Sequence, residues 1–423
     1  MIYLELANPS GQIDDRQLEA FTIEALKRLG PRQRVLLIPP DITRIHSRAG
    51  LITRYAWQDL GKAVAAVLPA VGTHEPMAEA EILQMFGQMP VSLFRRHNWR
   101  SDLVTLGQVP SDFIRQVSEG RLEYPWPAQV NRILVEGGFD LVLSIGQVVP
   151  HEVAGMANYN KNIFVGIGGS EGINKSHFLG AVYGMERIMG RADTPVRKVL
   201  NYASDHFAKD LPIVYILTVV ANTATGPVLK GIFVGDDIEC FNRACALAQQ
   251  VNITFLDRPL EKVIVYLDPH EYKSTWLGNK AIYRTRMAMA RDGQLIILAP
   301  GLKQFGEDKA IDVLIRKYGY LGTDHVLEAV KKNEDLAANL SAAAHLIHGS
   351  TEGRFKVTYC PGYLTDKEIL SVGFDYADLG KMLARYDPKK MTDGFNHVDG
   401  QEVFFISNPG LGLWATRQRF NSA

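Results

Sequence analysis

Residues 150–177 read PHEVAGMANYNKNIFVGIGGSEGINKSH and carry three side chains able to do chemistry, His151, Lys161 and His177. An apolar run shortly before them, residues 141–145 (LVLSI), has the composition of a buried parallel strand. His151 therefore emerges near the carboxyl end of a predicted strand. Ligands of open α/β sheets bind at that edge, so we expect this segment to contribute to a binding or active site.

A second strand-end motif lies earlier in the chain. Residues 35–38 (VLLI) predict a short buried strand that runs into PPDITR, residues 39–44. Arg44 can form paired hydrogen bonds with a carboxylate or phosphate, and Asp41 can orient a neighbouring group or a hydroxyl. By itself the motif is equally typical of a Pro-rich turn with a surface ion pair.

A third motif follows the apolar run of residues 63–71, where Gly72-Thr73 leads into His74. A single histidine between a glycine and a proline is more often structural than catalytic. Three polar motifs after candidate strands favour a shared site, because the ends of parallel strands converge on one edge of a sheet.

The length of 423 residues exceeds one ordinary hydrophobic core and predicts two domains. Alternating strand and helix patterns predict an α/β protein in which each domain has a largely parallel sheet flanked by helices. The turn Asp257-Arg258-Pro259 places the predicted boundary between an N-terminal catalytic domain, residues 1–258, and a C-terminal α/β domain, residues 259–423. In the second half we predict helices over residues 280–291 and 329–348.

Composition gives the broad class. Hydrophobic residues make up 46% and charged residues 22%, as in a soluble globular protein. Lys plus Arg equals Asp plus Glu at 46 each, which argues weakly against nucleic acid or an anionic membrane as partner. No secretory signal or long apolar run is visible, and the three cysteines lack CxxC spacing. We therefore expect a cytoplasmic protein without a disulfide framework.

Two familiar site types are excluded by spacing. The glycines of residues 166–172 do not fit G-x-G-x-x-G, so an ordinary dinucleotide site is rejected and the glycines are interpreted as space-makers. His151-Glu152 begins like H-E-x-x-H, but Gly155 stands where the second histidine belongs. His345 and His348 share one face of a predicted helix; without a nearby carboxylate or cysteine, we predict a solvated face there rather than a metal site.

The remaining residues fit acid–base chemistry on an organic acid. His74 and His151 are the pair that a two-base racemase or epimerase needs, one on each face of the inverted carbon. Arg44 would hold a carboxylate or phosphate, and Lys161 can bond covalently to a cofactor or carbonyl. Residue types alone do not identify a metal.

The ordered motifs resemble those of the nickel-pincer lactate racemase family of 2-hydroxyacid racemases and epimerases. They are Asp41-Ile-Thr-Arg44, Gly72-Thr-His74, Pro150-His151, Lys161 ten residues later, and Ser176-His177 sixteen beyond that.

The resemblance implies a pyridinium mononucleotide whose two sulfur-containing arms hold nickel, joined covalently to Lys161 and ligated by His177. It implies His74 and His151 as the paired bases that serve hydride transfer at C2 of a 2-hydroxy acid. The cofactor-binding set would be Lys161, Asp41, Thr43, Arg44 and Lys280, in a cleft between the domains. The implied partners are a small 2-hydroxy acid and the enzymes that make the cofactor.

The sequence departs from the family at two places. Asn158-Tyr159-Asn160 stands where a small Ser-Gly-Gly type of lead-in to the lysine is usual, and Leu277 replaces a glutamine. Our hypothesis is that the extra amide and phenol groups serve a longer, gluconate-like acid. The alternatives are a lactate racemase proper, a nicotinamide-dependent oxidoreductase, and a non-catalytic sugar-acid-binding protein.

Overall fold

A computed structural model describes residues 1–223 and 226–422. The chain divides into two compact units, Met1–Leu179 with Ile188–Asn252, and Gly180–Arg187 with the chain from Ile253 onward. Each unit contains a mainly parallel sheet flanked by helices, which confirms the predicted α/β class. No helix within the described ranges is long and apolar enough to cross a membrane.

The first unit is built on a six-stranded sheet with the order β1-β10-β9-β6-β2-β3. Strands β3, β2, β6 and β9 are parallel to one another. Strand β10 pairs antiparallel with β9, and β1 pairs antiparallel with β10. All four residues of β2 are buried, as expected of a strand covered on both faces. The strands of this unit are β1 (Ile2–Ala7), β2 (Val35–Ile38), β3 (Val64–Val67), β4 (Leu103–Val109), β5 (Trp126–Asn131), β6 (Leu141–Gln147), β7 (Pro150–His151), β8 (Gly155–Met156), β9 (Ile213–Thr223) and β10 (Gly226–Gly235).

Helices cover this sheet, and their ends follow local sequence signals. The first helix begins after Asp14, which forms a capping box with Gln17, and it ends at Gly30, whose φ is 75°. Apolar side chains from the first three helices pack on the sheet in one core, among them Leu18, Ile52 and Phe86. In chain order the helices of this unit are α1 (Asp15–Leu29), α2 (Ala49–Leu60), α3 (Glu79–Phe86), α4 (Ser111–Val117), α5 (Arg132–Glu136), α6 (Ser170–Tyr183), α8 (Pro195–Phe207) and α9 (Ile238–Asn252), whereas α7 (Met185–Ile188) falls largely within Gly180–Arg187 of the second unit.

The second unit has its own six-stranded sheet, ordered β15-β14-β13-β12-β17-β16, in which only the edge strand β16 is antiparallel. Its strands are β11 (Thr254–Leu256), β12 (Leu260–Tyr266), β13 (Met289–Ala299), β14 (Lys356–Pro361), β15 (Asp375–Tyr376), β16 (Gly394–Val398), β17 (Gln401–Ile406) and β18 (Trp414–Thr416). Its helices are α10 (Thr275–Gly278), α11 (Lys280–Thr285), α12 (Lys309–Tyr318), α13 (Thr323–Lys332), α14 (Glu334–Ala337), α15 (Leu340–His348), α16 (Asp366–Ser371), α17 (Leu379–Arg385) and α18 (Arg417–Ser422).

Two predictions for this unit are wrong. The helix predicted over residues 280–291 ends at Thr285, and Met289 already belongs to β13. The apolar run MAMA, residues 287–290, is too short for its periodicity to separate helix from strand. His345 and His348 do not face solvent, since they are only 6% and 5% exposed.

The burial of His345 has a clear packing cause. Its ring lies 4.4 Å from the ring of Trp276, and its Nε2 lies 3.0 Å from the Tyr320 hydroxyl. Burial lowers the pKa of His345 to about 3, so the ring is neutral at pH 7. The histidine is therefore part of the core of the second unit.

Candidate active site

The three strand-end motifs follow three neighbouring parallel strands. Strand β2 is hydrogen-bonded to β6 on one side and to β3 on the other. Asp41 follows β2, His74 follows β3 and His151 follows β6, so all three emerge at the same edge of the sheet. The order and direction of these strands confirm the prediction that the three motifs converge on one edge of the sheet.

Asp41 fixes the orientation of His74. It caps the 3-10 helix Ile42–Ser47, and its Oδ1 accepts hydrogen bonds from the Thr43 backbone N–H at 3.1 Å and hydroxyl at 2.5 Å. Its Oδ2 lies 2.6 Å from His74 Nδ1. Burial raises the pKa of Asp41, but the hydrogen bonds from His74 and Thr43 outweigh this effect and bring the pKa below its ordinary value. The ionised carboxylate therefore holds the His74 proton on Nδ1 and leaves Nε2 as the acceptor of the neutral ring.

His151 is the other tautomer from His74: its Nδ1 accepts a hydrogen bond instead of donating one. It lies in β7, which pairs with β8 in a tight hairpin, and the Val153 backbone N–H donates to His151 Nδ1 at 3.1 Å. The neutral ring consequently carries its proton on Nε2. Burial lowers the pKa of His151 well below its ordinary value; Glu152 opposes this shift, and the charges of Lys161 and other nearby cations add to it.

Lys161 is held close to the same sheet edge. It directly precedes a π-helical turn, Asn162–Gly166, and such turns are frequent at functional sites. The Asn162 side-chain amide donates to Ile38 O at 3.2 Å and to Ser144 Oγ at 3.0 Å, which ties the turn to the end of β2 and the middle of β6. Burial, and next the charge of Arg44, lower the pKa of Lys161 to about 8. About a tenth of the amine is then uncharged and nucleophilic at pH 7, far more than for an ordinary lysine.

His177 presents one free imidazole nitrogen. It lies on α6, where its Nδ1 donates to the backbone carbonyl of Ile173 at 2.7 Å. Burial lowers its pKa to about 4, so the ring is neutral at pH 7 with its lone pair on Nε2. A neutral imidazole whose other N–H is held by a backbone carbonyl is the usual form of a metal ligand. In the described part of the chain, no group of three or more His, Cys, Asp or Glu side chains is arranged to hold a metal ion.

The glycines of this segment make room for close packing. A Cβ on Gly168 would lie 1.9 Å from the carbonyl oxygen of Phe164, and one on Gly169 would lie 2.2 Å from Gln129 Oε1. A Cβ on Gly166 would lie 2.8 Å from that of Ala70. None of these glycines has a left-handed backbone conformation. The interpretation as space-makers is confirmed.

The hypothesis that Asn158-Tyr159-Asn160 serves the substrate is wrong, because these side chains are buried among protein partners. The Tyr159 ring packs against Tyr215 and Phe241, with ring centroids 4.4 and 5.2 Å away. The Asn160 amide is fully buried and bonds to other side chains of the first unit. Asn158 and Tyr159 have φ angles of 65° and 59°, a conformation that costs a non-glycine residue about 1–2 kcal/mol.

The hydrogen-bond partners of Asn160 come from α8, a helix to which no role was assigned from the sequence. Thr194 caps α8, and Arg197, Asn201 and Ser204 follow along the helix. Spacings of three and four residues place such side chains on one face. That polar face inside an amphipathic helix is the sequence signal for these residues, and it is visible only in retrospect.

Lys280 lies in the second unit as the first residue of α11. Its Nζ is 5.6 Å from the centre of the Tyr272 ring. The preceding residue, Asn279, is fully buried and accepts a hydrogen bond from the Tyr359 hydroxyl at 2.7 Å. The start of α11 is therefore anchored in the core of that unit.

Comparison with known proteins adds an independent finding. Residues 18–188 match the family model of the lactate racemase N-terminal domain. A crystal structure of a Thermotoga maritima protein is similar to this chain, with 25% identity and a TM-score of 0.81 over 98% of this chain and 100% of that one. No curated protein matches the sequence.

The structure of the lactate racemase apoprotein from Thermoanaerobacterium thermosaccharolyticum is also similar, with a TM-score of 0.72, 16% identity, and coverage of 95% of this chain and 93% of that one. At this identity the likeness shows a common fold. The family match spans Asp41, His74, His151, Lys161 and His177, and it supports a function of the racemase or epimerase type. Residues 18–188 of this chain are therefore similar to the N-terminal domain of lactate racemases.

Proposed function

We propose that this protein is an isomerase that inverts C2 of a 2-hydroxy acid, with a nickel-pincer pyridinium mononucleotide bound covalently through Lys161 and ligated by His177. The observation that carries the proposal is the opposed protonation of the two histidines. His74 presents an unprotonated Nε2 because Asp41 holds its proton on Nδ1, whereas His151 presents Nε2–H. A proton acceptor at one histidine and a hydrogen-bond donor at the other give the pair distinct starting roles in a two-base inversion.

His74 takes the proton of the substrate hydroxyl. The Asp41 carboxylate stabilises the imidazolium that forms, as the buried aspartate of a catalytic triad stabilises its histidine. When bound, the cofactor would supply the hydride acceptor that inversion at C2 requires. His151 donates a hydrogen bond from Nε2 to the substrate oxygen. To supply the proton that this oxygen regains, His151 must first be protonated on Nδ1 and leave its bond to the Val153 N–H. To act as the base for the opposite enantiomer, it must carry its proton on Nδ1 instead of Nε2, which breaks the same bond.

The remaining residues bind and orient. Arg44 suits a substrate carboxylate or a cofactor phosphate, since its guanidinium forms paired hydrogen bonds with either. Lys161, whose uncharged amine is the nucleophilic form, would hold the cofactor covalently. His177 provides one imidazole Nε2, and imidazole suits Ni(II). A single protein ligand fits a metal whose other ligands come from a pincer.

The residues therefore fit the cofactor, and the fit supports a test with loaded protein. The chain should be produced together with the enzymes that make the nickel-pincer nucleotide, and nickel content and inversion of lactate and gluconate should be measured side by side. We expect about one nickel per chain and inversion of a 2-hydroxy acid. His74→Asn and His151→Asn should each lower turnover with nickel retained. Fully loaded protein that binds either acid without inverting it would instead indicate a sugar-acid-binding protein.

A further inference from the structure

We propose that Arg197 is a positioning residue that holds the left-handed segment before Lys161 and so places the Lys161 amine at the carboxyl edge of the sheet. The importance of that amine rests on the proposed function. The positioning itself is a property of the protein alone and can be tested without a cofactor.

Arg197 contacts this segment at three points. Its guanidinium donates to Met156 O at 2.8 Å and to Asn158 O at 3.3 Å from both terminal nitrogens. It also donates to Asn160 Oδ1. One planar group thus bonds to alternate residues on both sides of the turn, which a lysine ammonium cannot reproduce with its different geometry.

The turn needs stabilising contacts from outside the segment, because two successive non-glycine residues have a left-handed backbone conformation. Asn158 and Tyr159 have φ angles of 65° and 59°. Local help comes from Asn158 Oδ1, which accepts from the Tyr159 backbone N–H at 2.6 Å. Such conformations persist only where the surroundings over-determine them. Arg197 bonds directly to the carbonyl of Asn158, inside the left-handed pair.

Helix α8 acts as the platform for these contacts. The Asn160 amide donates to Asn201 Oδ1 at 2.7 Å and to Ser204 Oγ at 3.1 Å, both on the face that carries Arg197. At the start of the helix, the Thr194 hydroxyl donates to Ala154 O at 3.1 Å. Residues 154–160 are therefore fastened to one helix at both ends, and Lys161 is the next residue.

The cost of burying Arg197 indicates a specific purpose. The side chain is only 1% exposed, and within the described ranges it forms no ion pair; its partners are carbonyl and amide oxygens and the face of the Phe241 ring, 4.1 Å away. A buried cation without a carboxylate is expensive unless its hydrogen bonds are needed. Its charge also contributes to the lowered pKa of Lys161, after burial and Arg44.

Hydrogen exchange of the cofactor-free protein tests the inference. Peptides covering residues 157–164 and helix α8 should be compared in wild type, Arg197→Met, Arg197→Lys and Lys198→Ala. Lys198 neighbours Arg197 but is half exposed and serves as the matched control. We expect exchange over residues 157–164 to accelerate about tenfold or more in both Arg197 variants, with α8 little changed and the control like wild type.

A double variant separates positioning from general stability. Asn158→Gly removes the conformational penalty at φ 65° and keeps the carbonyl that Arg197 binds, at the cost of the bond from the Tyr159 N–H to Asn158 Oδ1. Added to Arg197→Met, it should restore part of the protection of residues 157–164. If Arg197→Met does not fold, Asn160→Ala replaces it, since this change removes a guanidinium acceptor and both links to α8.

Unchanged exchange over residues 157–164 in Arg197→Met, or in its Asn160→Ala replacement, would overturn the inference. So would equal loss of protection in α8 without rescue by Asn158→Gly, which would make Arg197 a general core residue. Failure of the proposed function has a different signature: the exchange differences would persist, but Lys161 would carry no cofactor in active wild-type enzyme.

Discussion

His74 Nδ1 lies 2.6 Å from Asp41 Oδ2, although the two residues are 33 positions apart and follow different strands. The carboxylate is 5% exposed and the histidine side chain 58% exposed. A buried carboxylate behind a solvent-accessible imidazole fixes which nitrogen of the ring can accept a proton. In the proposed mechanism, this pair provides a base whose accepting nitrogen is fixed.

Replacing Asp41 by asparagine should remove the control over which nitrogen of His74 accepts a proton. The amide keeps the size of the carboxylate but no longer holds the proton on His74 Nδ1 or stabilises the imidazolium. We expect kcat of the loaded enzyme to fall by about 10²–10⁴-fold. Steady-state kinetics and a melting curve are the measurements. A small change in kcat with unaltered stability would contradict the role of Asp41, and Thr43→Val, which removes only the hydroxyl partner, is the milder comparison.

Removing His177 should separate metal binding from covalent attachment. The His177→Ala variant lacks the one imidazole Nε2 proposed as a protein ligand but leaves Lys161 in place. We expect nickel content by elemental analysis to drop strongly while the adduct on Lys161 is retained. Full nickel retention in the variant would argue that the metal does not need this side chain. His97→Ala is not a suitable control, because His97 is buried against Gly168 O.

The buried His345 should make the second unit sensitive to acid. Its pKa is about 3 in the folded protein and near 6.5 in the unfolded chain, so the unfolded state binds more protons between these values. The stabilisation is complete above pH 6.5 and is lost as the pH falls towards 3. His345→Gln should flatten the fall in the free energy of unfolding between pH 7 and pH 5, measured by denaturant titration. An unchanged slope would show that His345 does not contribute to it.

The packing role of the glycines can be tested with single methyl groups. Gly168→Ala would place a Cβ 1.9 Å from the Phe164 carbonyl oxygen, so the π-helical turn would have to move. We expect a loss of about 1–3 kcal/mol in the free energy of unfolding. Gly172→Ala is the matched comparison, since its nearest contact would be 3.1 Å. Equal effects of the two changes would mean that close approach at Gly168 is unimportant.

The sequence was sufficient for the α/β class and for the motifs after β2, β3 and β6, because short apolar strands followed by polar turns are local signals. It was insufficient where the outcome depends on distant partners. The helix predicted over residues 280–291 gave way to β13, which is fixed by pairing with β12 and β14. His345 looked solvated until Trp276 and Tyr320 were placed against it.

The segment before Lys161 shows the same limit most clearly. Asn158-Tyr159-Asn160 reads as a set of substrate-binding groups because amide and phenol side chains are common in pockets. Their burial depends on Arg197 and Asn201, about 40 residues later in the sequence. The left-handed backbone of two non-glycine residues has no reliable local signature.

The central claim is that Lys161 carries the cofactor that the enzyme needs. The most direct measurement is peptide-resolved mass spectrometry of active protein purified from cells that make the nickel-pincer nucleotide. We predict a mass increment confined to the peptide that contains Lys161, in proportion to turnover. An unmodified Lys161 in fully active enzyme would contradict the account.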